Sequence, residues 1–298
     1  MQLCRFYLPR QGARLGQVVG EDVRDLTASA EPAFASFETL VRSSVVEAVE
    51  TSLASLGSRD LPSYSYADLD RAPNERYPHL LPPVDRQEIW AAGVTYAWSR
   101  EARVREAQTK DIYMRVYDAS RPELFFKCIA EKAVGPNDWI GLRGDSYWNV
   151  PEPELALVLN PAMEVIGLTI ANDVSSRDIE GENPLYLPQA KIFRHACALG
   201  PVVTVVGSSA DLRDLRIKLT VKRGNEVYFY DQTSTAKMRR TAEELTAYLG
   251  RYNDFPFGAV LLTGTGIVPG DDFTLRDGDE VLIEIDGIGL LRNPVRQM

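Results

Sequence analysis

The chain has 298 residues, of which 45% are hydrophobic and 25% are charged, and its formal net charge is −9. These values are ordinary for a globular protein with a real core, and the acidic balance argues against nucleic acid as a partner because no basic stripe would neutralise phosphates. The absence of a membrane-length apolar run and of a signal-peptide core, together with three cysteines lacking metal-type spacing, predicts a soluble, reduced, cytoplasmic protein without a membrane partner.

The N-terminal part of the chain has its own pattern. A short strand pattern at Leu3–Tyr7 precedes apolar residues at helical spacing within residues 37–49. Residues 61–83 are rich in Pro, Asp, Tyr and Arg and show no sustained period, which is typical of a linker. We therefore predict a small N-terminal α/β domain over residues 1–80 and a larger domain over residues 81–298.

Short strands dominate the larger domain. The predicted strands are Ile89–Val94, Glu123–Lys127, Glu154–Leu159, Val165–Ala171, Val202–Val206, Ile217–Val221, Val227–Tyr230, Ala259–Leu262 and Val281–Ile285. The clearest helix is Ala242–Leu249, where Thr241 and Glu244 form a capping box. A second helical pattern, Ser99–Gln108, is charged nearly all round. Many strands and few helices predict a β-rich α+β fold.

Three carboxylates stand where two of these strands begin and end. Glu152 and Glu154 are spaced i, i+2 at the start of an apolar run, so their side chains leave the same face, and Asp173 follows the next apolar run. Neighbouring carboxylates resist burial unless a cation neutralises them. Three hard oxygen ligands suit Mg²⁺, or Mn²⁺, and leave coordination positions for water or substrate. The alternative is two solvated edge carboxylates and an aspartate that caps a turn.

Other residues that could take part in catalysis or cofactor binding have weaker support from the sequence. Lys191 is the single cation of the stretch 187–193 and could hold a carboxylate or act as a base, although an ordinary surface lysine is the alternative. Gly264-Thr265-Gly266 lacks the further glycine of a dinucleotide-binding motif, and His79 and His195 have no triad context.

Taken together, these residues resemble the fumarylacetoacetate hydrolase family over about residues 88–294. The resemblance is carried by Pro122-Glu123-Leu124-Phe125-Phe126-Lys127, by Glu152, Glu154 and Asp173 as its E-x-E…D pattern, by Asn172-Asp173-Val174-Ser175-Ser176-Arg177-Asp178, by Lys191 and by Leu262-Thr263-Gly264-Thr265. It implies a mixed β-roll with the metal at its open end, and a homodimer or homotetramer. It also implies Mg²⁺ on the three carboxylates and substrate contacts from Lys191, Thr265 and Tyr96. Arg177 would either brace the loop of the metal site or contact the substrate.

One departure from the family pattern bears on the reaction. Hydrolytic members carry G-x-N-Y-x-x-H-x-x-E, whose histidine and glutamate activate water for carbon–carbon cleavage. In this chain Ser99 stands in place of the histidine and Ala102 in place of the glutamate. A serine hydroxyl is not a general base near neutral pH without its own activator. Hydrolysis of the family type is therefore not expected.

The chemistry that suits the remaining residues is proton transfer beside a 2-oxo acid group, because a divalent cation acidifies the C3 protons and stabilises an enolate. Residues 182–188 and 264–269 resemble the sugar-acid branch of the family. That likeness implies dehydration of a 2-oxo-3-deoxy sugar acid, a pentonate such as the D-arabinonate derivative, to 2-oxoglutarate semialdehyde, in pentose catabolism.

The roles of individual residues in such a dehydration stay open at this point. Lys191 and Glu123 are both candidates for the base that takes the C3 proton. Ser99 or Glu101 could assist departure of the C4 hydroxyl, and residues 99–119 could form a lid that excludes water from the enolate. The alternative functions are an acylpyruvate-type C–C hydrolase, a 2-oxo acid decarboxylase or tautomerase, and a non-catalytic metal-stabilised binding protein.

Overall fold

The structure, a computed structural model, describes residues 1–43, 46–57, 59–97, 116–206 and 214–298. Its strands are β1 (Gln2–Leu8), β2 (Gly12–Val19), β3 (Asp22–Asp25), β4 (Ser63–Ser65), β5 (His79–Leu81), β6 (Glu88–Gly93), β7 (Glu123–Ile129), β8 (Ile140–Leu142), β9 (Asn149–Val150), β10 (Pro153–Leu159), β11 (Val165–Asp173), β12 (Ser175–Ser176), β13 (Cys197–Val205), β14 (Arg216–Arg223), β15 (Glu226–Ser234), β16 (Ala259–Leu262), β17 (Asp279–Ile285) and β18 (Gly289–Gln297). Its α-helices are α1 (Phe37–Ser43), α2 (Val46–Leu56), α3 (Tyr66–Leu69), α4 (Arg177–Glu182), α5 (Leu187–Lys191) and α6 (Ala242–Leu249).

Two large sheets account for most of these strands. Within the described ranges, eleven strands form one mixed sheet in the order β4-β3-β2-β1-β13-β11-β10-β16-β6-β7, with β5 also pairing with β1. Five strands form a second sheet in the order β15-β14-β17-β18-β8, and β12 pairs with β9. Pairs are antiparallel except β16 with β6 and β18 with β8. The predicted β-rich α+β fold class is confirmed.

The N-terminal strands belong to the same sheet as the strands of the larger predicted domain. β1 pairs with β13, so that Leu3 lies opposite Val203. Leu3 and Leu15 also share one buried apolar cluster with Val158 and Val203. The boundary at residue 80 stays a prediction, and the sheet and the core both run across it.

Most predicted strands are present with small shifts at their ends, and residues 61–83 differ more. The interpretation of that segment as a linker is wrong in part, because it contains β4, α3 and β5. β4 pairs with β3, and β5 pairs with β1. Main-chain pairing with an existing sheet edge stabilises such short strands, and it requires no apolar period in the sequence.

The central strands carry the site because they are buried on both faces. Every residue of β10 is buried, and so are all residues of β11 except Val165. The two strands form an antiparallel pair in which Pro153 lies opposite Asn172. Glu152, Glu154 and Asp173 are therefore brought to the same end of the pair. In the described part of the chain no helix is long and apolar enough to cross a membrane.

The N-cap of α6 offers a direct test of the local structure. Thr241 Oγ1 accepts a hydrogen bond from Glu244 N–H at 3.1 Å, which is the threonine half of the predicted capping box. Thr241→Ala removes this acceptor and should lower the free energy of unfolding by about 1 kcal/mol, whereas Thr241→Ser should keep most of it. Urea denaturation followed by circular dichroism measures both, and equal losses in the two variants would contradict the assignment of the cap.

Candidate metal and active site

Three buried carboxylates meet at the end of the β10–β11 pair. Glu152, Glu154 and Asp173 each place one ligand oxygen within 4.8 Å of the others. The backbone fixes their relative positions, because Asp173 N–H donates to the Glu152 carbonyl at 3.0 Å and Glu152 N–H donates to Asn172 Oδ1 at 3.1 Å. The cluster therefore belongs to the rigid sheet rather than to a flexible loop.

Three buried cations surround this cluster. Lys191 Nζ donates to Glu152 Oε2 at 2.7 Å, to Asp173 Oδ2 at 3.1 Å and to Ser175 Oγ at 2.6 Å. Lys127 Nζ lies 2.5 Å from Asp173 Oδ1. Arg177 Nη1 lies 3.4 Å from both Glu152 Oε1 and Glu180 Oε2. Each cation comes from a different element, namely α5, β7 and α4.

Glu154 stands apart from this ion-pair network. Its Oε2 accepts the Gly264 N–H at 2.5 Å, and no ion pair to Glu154 occurs among the described residues. Burial raises the pKa of Glu154 well above its ordinary value, and the charges of Asp173 and Glu152 raise it further. Burial opposes the charge of Asp173 as well, but Lys127 and Lys191 hold the pKa of Asp173 below its ordinary value.

The balance of charge fits a bound cation. Among the described residues, four buried carboxylates, Glu152, Glu154, Asp173 and Glu180, face the three cations described above, so that the carboxylates outnumber the cations by one. Buried charges are normally paired or coordinate metals. Three carboxylates within ligand distance of one another form a hard oxygen donor set, which suits Mg²⁺ or Mn²⁺.

A pocket opens directly onto the carboxylates and encloses about 350 Å³ including its open mouth. It is lined by Ala92, Gly93, Val94, Glu123, Phe125, Glu152, Asp173, Glu180, Lys191 and Thr265. The pocket thus combines an acidic cluster, a lysine and a further carboxylate, Glu123.

Glu123 reaches the pocket because the residue opposite it is a glycine. β6 and β7 pair so that Gly93 lies opposite Glu123. A Cβ atom at position 93 would lie 2.1 Å from Glu123 Oε2. Since real Cβ atoms essentially never approach so closely, any larger residue would displace the Glu123 carboxylate.

The structure brings together most of the residues that the sequence predicts. Glu123, Glu152, Asp173, Lys191 and Thr265 line one pocket, and Glu154 lies beside Glu152 and Asp173. Arg177 lies between Glu152 and Glu180 and forms an ion pair with each.

Tyr96 does not line the pocket. It is buried, and its ring packs against Gly266. Burial, followed by the charge of Glu154, raises the pKa of Tyr96. Ser99 and Glu101, with most of the predicted lid at 99–119, lie outside the described residues.

The sequence interpretation missed several residues that line or support the pocket. Phe125 and Lys127 follow Glu123 at i+2 and i+4 on a predicted strand, and that alternation could have drawn attention to them. Glu180 follows Arg177 at the i+3 spacing of a helix, but α4 was not predicted. Nothing in the sequence marked Val94 as a pocket residue. In the structure it has a left-handed backbone with φ of 51°, which is strained for a β-branched residue.

Comparison with known proteins places this fold and site in a family. Residues 88–296 match the family described as Fumarylacetoacetate (FAA) hydrolase C-terminal. This match covers more than half of the chain. The protein belongs to the fumarylacetoacetate hydrolase family, as the sequence motifs predicted.

Relatives of known name are similar to most of the chain. A probable 2-keto-3-deoxyxylonate dehydratase of Haloferax volcanii is 51% identical over 217 residues, which are 73% of this chain and 75% of that protein. A 2-dehydro-3-deoxy-D-arabinonate dehydratase of Saccharolobus solfataricus is 46% identical over 73% of this chain and 74% of its own length. A solved structure of 2-keto-3-deoxy-D-arabinonate dehydratase complexed with magnesium and 2,5-dioxopentanoate is 35% identical, with a TM-score of 0.80 over 100% of this chain and 99% of that chain.

The unequal pairing of the carboxylates predicts opposite effects of two neutralising substitutions. Glu154→Gln removes an uncompensated buried charge and keeps an acceptor for Gly264, so in EDTA the free energy of unfolding should stay level or rise. Asp173→Asn leaves Lys127 and Lys191 short of a partner and should cost several kcal/mol, about 3–5 for breaking a buried pair. Urea denaturation at pH 7 checks both, and a similar loss in Glu154→Gln would refute this account of the charges.

Proposed function

We propose that the protein is a magnesium-dependent dehydratase of 2-keto-3-deoxy pentonates, of the 2-dehydro-3-deoxy-D-arabinonate type. It would remove water from the sugar acid and give 2-oxoglutarate semialdehyde, which is 2,5-dioxopentanoate. The observation that carries the proposal is one pocket at which three features meet. These are the triad of carboxylates, the ammonium group of Lys191 and the further carboxylate of Glu123. The sequence identity of 51% and 46% to two proteins named as dehydratases, each over 73% of this chain, supports it.

The triad Glu152, Glu154 and Asp173 would hold the magnesium ion, because these residues provide hard oxygen ligands and an excess negative charge at the pocket wall. When bound, the ion would supply Lewis-acid polarisation of the 2-oxo group and so favour loss of a C3 proton. Manganese has the same ligand preference and would substitute for magnesium.

Lys191 and Thr265 would hold the C1 carboxylate and the 2-oxo group. Lys191 Nζ already has three acceptors, in Glu152, Asp173 and Ser175, and all three favour the charged ammonium. An ammonium so surrounded is a binding cation and a poor base. Thr265 lies on the same pocket wall in the Thr263–Thr265 loop, whose Gly264 N–H holds Glu154.

Glu123 is then the base that the pocket offers for the C3 proton. It lines the pocket beside Glu152 and Asp173 and is half-buried. Removal of the C3 proton gives an enolate, and departure of the C4 hydroxyl as water leaves a C3–C4 double bond. Loss of a C5 proton and protonation at C3 give a C4–C5 enol, and protonation at C4 with loss of the C5 hydroxyl proton then produces the aldehyde at C5. Glu123 can return protons in these later steps.

The assembly and location form part of the same proposal. A homodimer or homotetramer is what the family resemblance suggests, and the acidic chain with buried free cysteines suits a reducing cytoplasm. Light scattering on the purified protein measures the mass in solution, and a monomer would remove the oligomer from the proposal.

Incubation with a panel of substrates tests the reaction. With Mg²⁺, a 2-oxo-3-deoxy pentonate in D₂O should give 2,5-dioxopentanoate that carries deuterium at C3 and C4, while EDTA should abolish turnover. Lys191→Met should lose turnover and deuterium incorporation together. Efficient cleavage of acylpyruvates by the same preparation would favour a C–C hydrolase, and product without solvent deuterium would exclude the enolate route.

Substitution of Gly93 tests the assignment of Glu123. Gly93→Ala should push the Glu123 carboxylate out of its position and lower kcat at least about tenfold, because general-base catalysis is typically worth 10²–10⁴. Mn²⁺ affinity should not change, since the three atoms nearest to the added Cβ all belong to Glu123 and none to the triad. Gly270→Ala is the control, because it lies outside the pocket and only Asp272 comes within 4 Å of its added Cβ.

Glu123→Gln should lose turnover to a similar or greater extent. Full activity of Glu123→Gln would transfer the proton-abstracting role to another residue.

A further inference from the structure

Lys127 is a fully buried cation close to the pocket but absent from its lining. Its side chain has 0% exposure, and the residues that line the pocket include Glu123 and Phe125 of the same strand but not Lys127. The pairing of β7 with β6 skips Lys127, since Ile89 lies opposite Cys128 and Trp90 lies opposite Phe126. Such a β-bulge re-aims a side chain, and bulges are over-represented next to active sites.

Three oxygen atoms from different positions surround the Lys127 ammonium. Nζ lies 2.5 Å from Asp173 Oδ1, and it donates to the Lys191 carbonyl at 2.5 Å and to the Val174 carbonyl at 3.3 Å. Two of its N–H groups thus serve main-chain carbonyls, and its charge is paired with Asp173. Because its side chain is fully buried and does not line the pocket, Lys127 acts on the site from behind.

The contact with Asp173 fixes the orientation of that carboxylate. Oδ1 faces Lys127, and Oδ2 therefore faces Lys191, which donates to it at 3.1 Å. Of the two oxygens, Oδ2 is the one on the side of Glu152, because Lys191 Nζ also donates to Glu152 Oε2. Without Lys127, rotation about the Asp173 side chain would no longer be restricted from the Oδ1 side.

The contact with the Lys191 carbonyl fixes the position of the second lysine. Lys191 is the last residue of α5, which has only five residues, and the last carbonyls of a helix have no partner within the helix. A lysine that donates to such a carbonyl caps the helix and complements its dipole. Lys127 thus holds the backbone from which the Lys191 side chain extends into the pocket.

We propose that Lys127 is a positioning residue that sets the geometry of Asp173, Lys191 and the strand carrying Glu123 as one unit. The expected effect of Lys127 on turnover rests on the proposed function. Its expected effect on metal affinity depends on the carboxylate triad alone. Residues that orient metal ligands from behind typically change metal affinity or activity about 10–100-fold when replaced.

The test measures Mn²⁺ affinity by calorimetry, and kcat and KM for the 2-oxo-3-deoxy pentonate, in two variants. Lys127→Met keeps the length of the side chain and removes every donor; it should weaken Mn²⁺ binding and lower kcat by about 10–100-fold each. Lys127→Gln keeps two N–H donors without the charge, retains the fold more readily and should lie between Lys127→Met and the unaltered protein. Partial recovery in Lys127→Gln would be the signature of lost hydrogen bonds rather than of lost stability.

A matched control separates positioning from general destabilisation. Arg14→Met removes the guanidinium group that contacts Asp25, another buried carboxylate, at 2.5 Å in the N-terminal strands. It should lower thermal stability but leave Mn²⁺ affinity and kcat unchanged. Folded Lys127→Met or Lys127→Gln with the metal affinity and kcat of the unaltered protein would overturn the proposal. If the unaltered protein shows no turnover, the proposed function is wrong. The Mn²⁺ measurement would still decide the role of Lys127 in that case.

Discussion

The concentration of buried charge at the end of the β10–β11 pair is the constraint on which the rest of the structure depends. Four carboxylates and three cations are withdrawn from water there, and each would be costly to bury alone. They come from β7, β10, β11, α4 and α5 and from the residue before β10. Short helices, a β-bulge and a glycine opposite Glu123 are all local features that allow these groups to meet.

The three carboxylates of the triad differ in how many cations they contact. Asp173 is held by two lysines, and Glu152 by Lys191 and Arg177, whereas Glu154 has a single backbone N–H in the described part of the chain. Among the described residues, the carboxylate without an ion pair therefore lies at one side of the triad. A divalent cation would neutralise it there, and the two ion-paired carboxylates would keep their orientation with or without that cation.

The strands and the carboxylate triad could be predicted from the sequence because both depend on local patterns. The apolar run of β10 and the spacing of Glu152 and Glu154 are read directly, and the capping box of α6 involves neighbouring residues. The family motifs identified Asp173, Lys191 and Thr265 in the same way. The fold class followed from the count of strands against helices.

The remaining features depend on contacts between distant parts of the chain. Lys127 and Val174, or Glu123 and Gly93, are far apart in sequence, so no local period could pair them. α4 and α5 are short helices of six and five residues whose positions are set by ion pairs with the strands rather than by an apolar face. Likewise β4 and β5 exist because β3 and β1 offer them an edge.

The pairing of β1 with β13 has a consequence for how the protein could be shortened. β13 is the only strand between β1 and β11, whose last residue is Asp173, in the sheet as described. Removal of residues 1–80 would turn part of β13 into an open edge, expose the apolar side chains that now meet Leu3 and Leu15, and invite association with other chains. The N-terminal segment therefore covers an edge of β13, the neighbour of the strand that ends at Asp173, although none of its described residues lines the pocket.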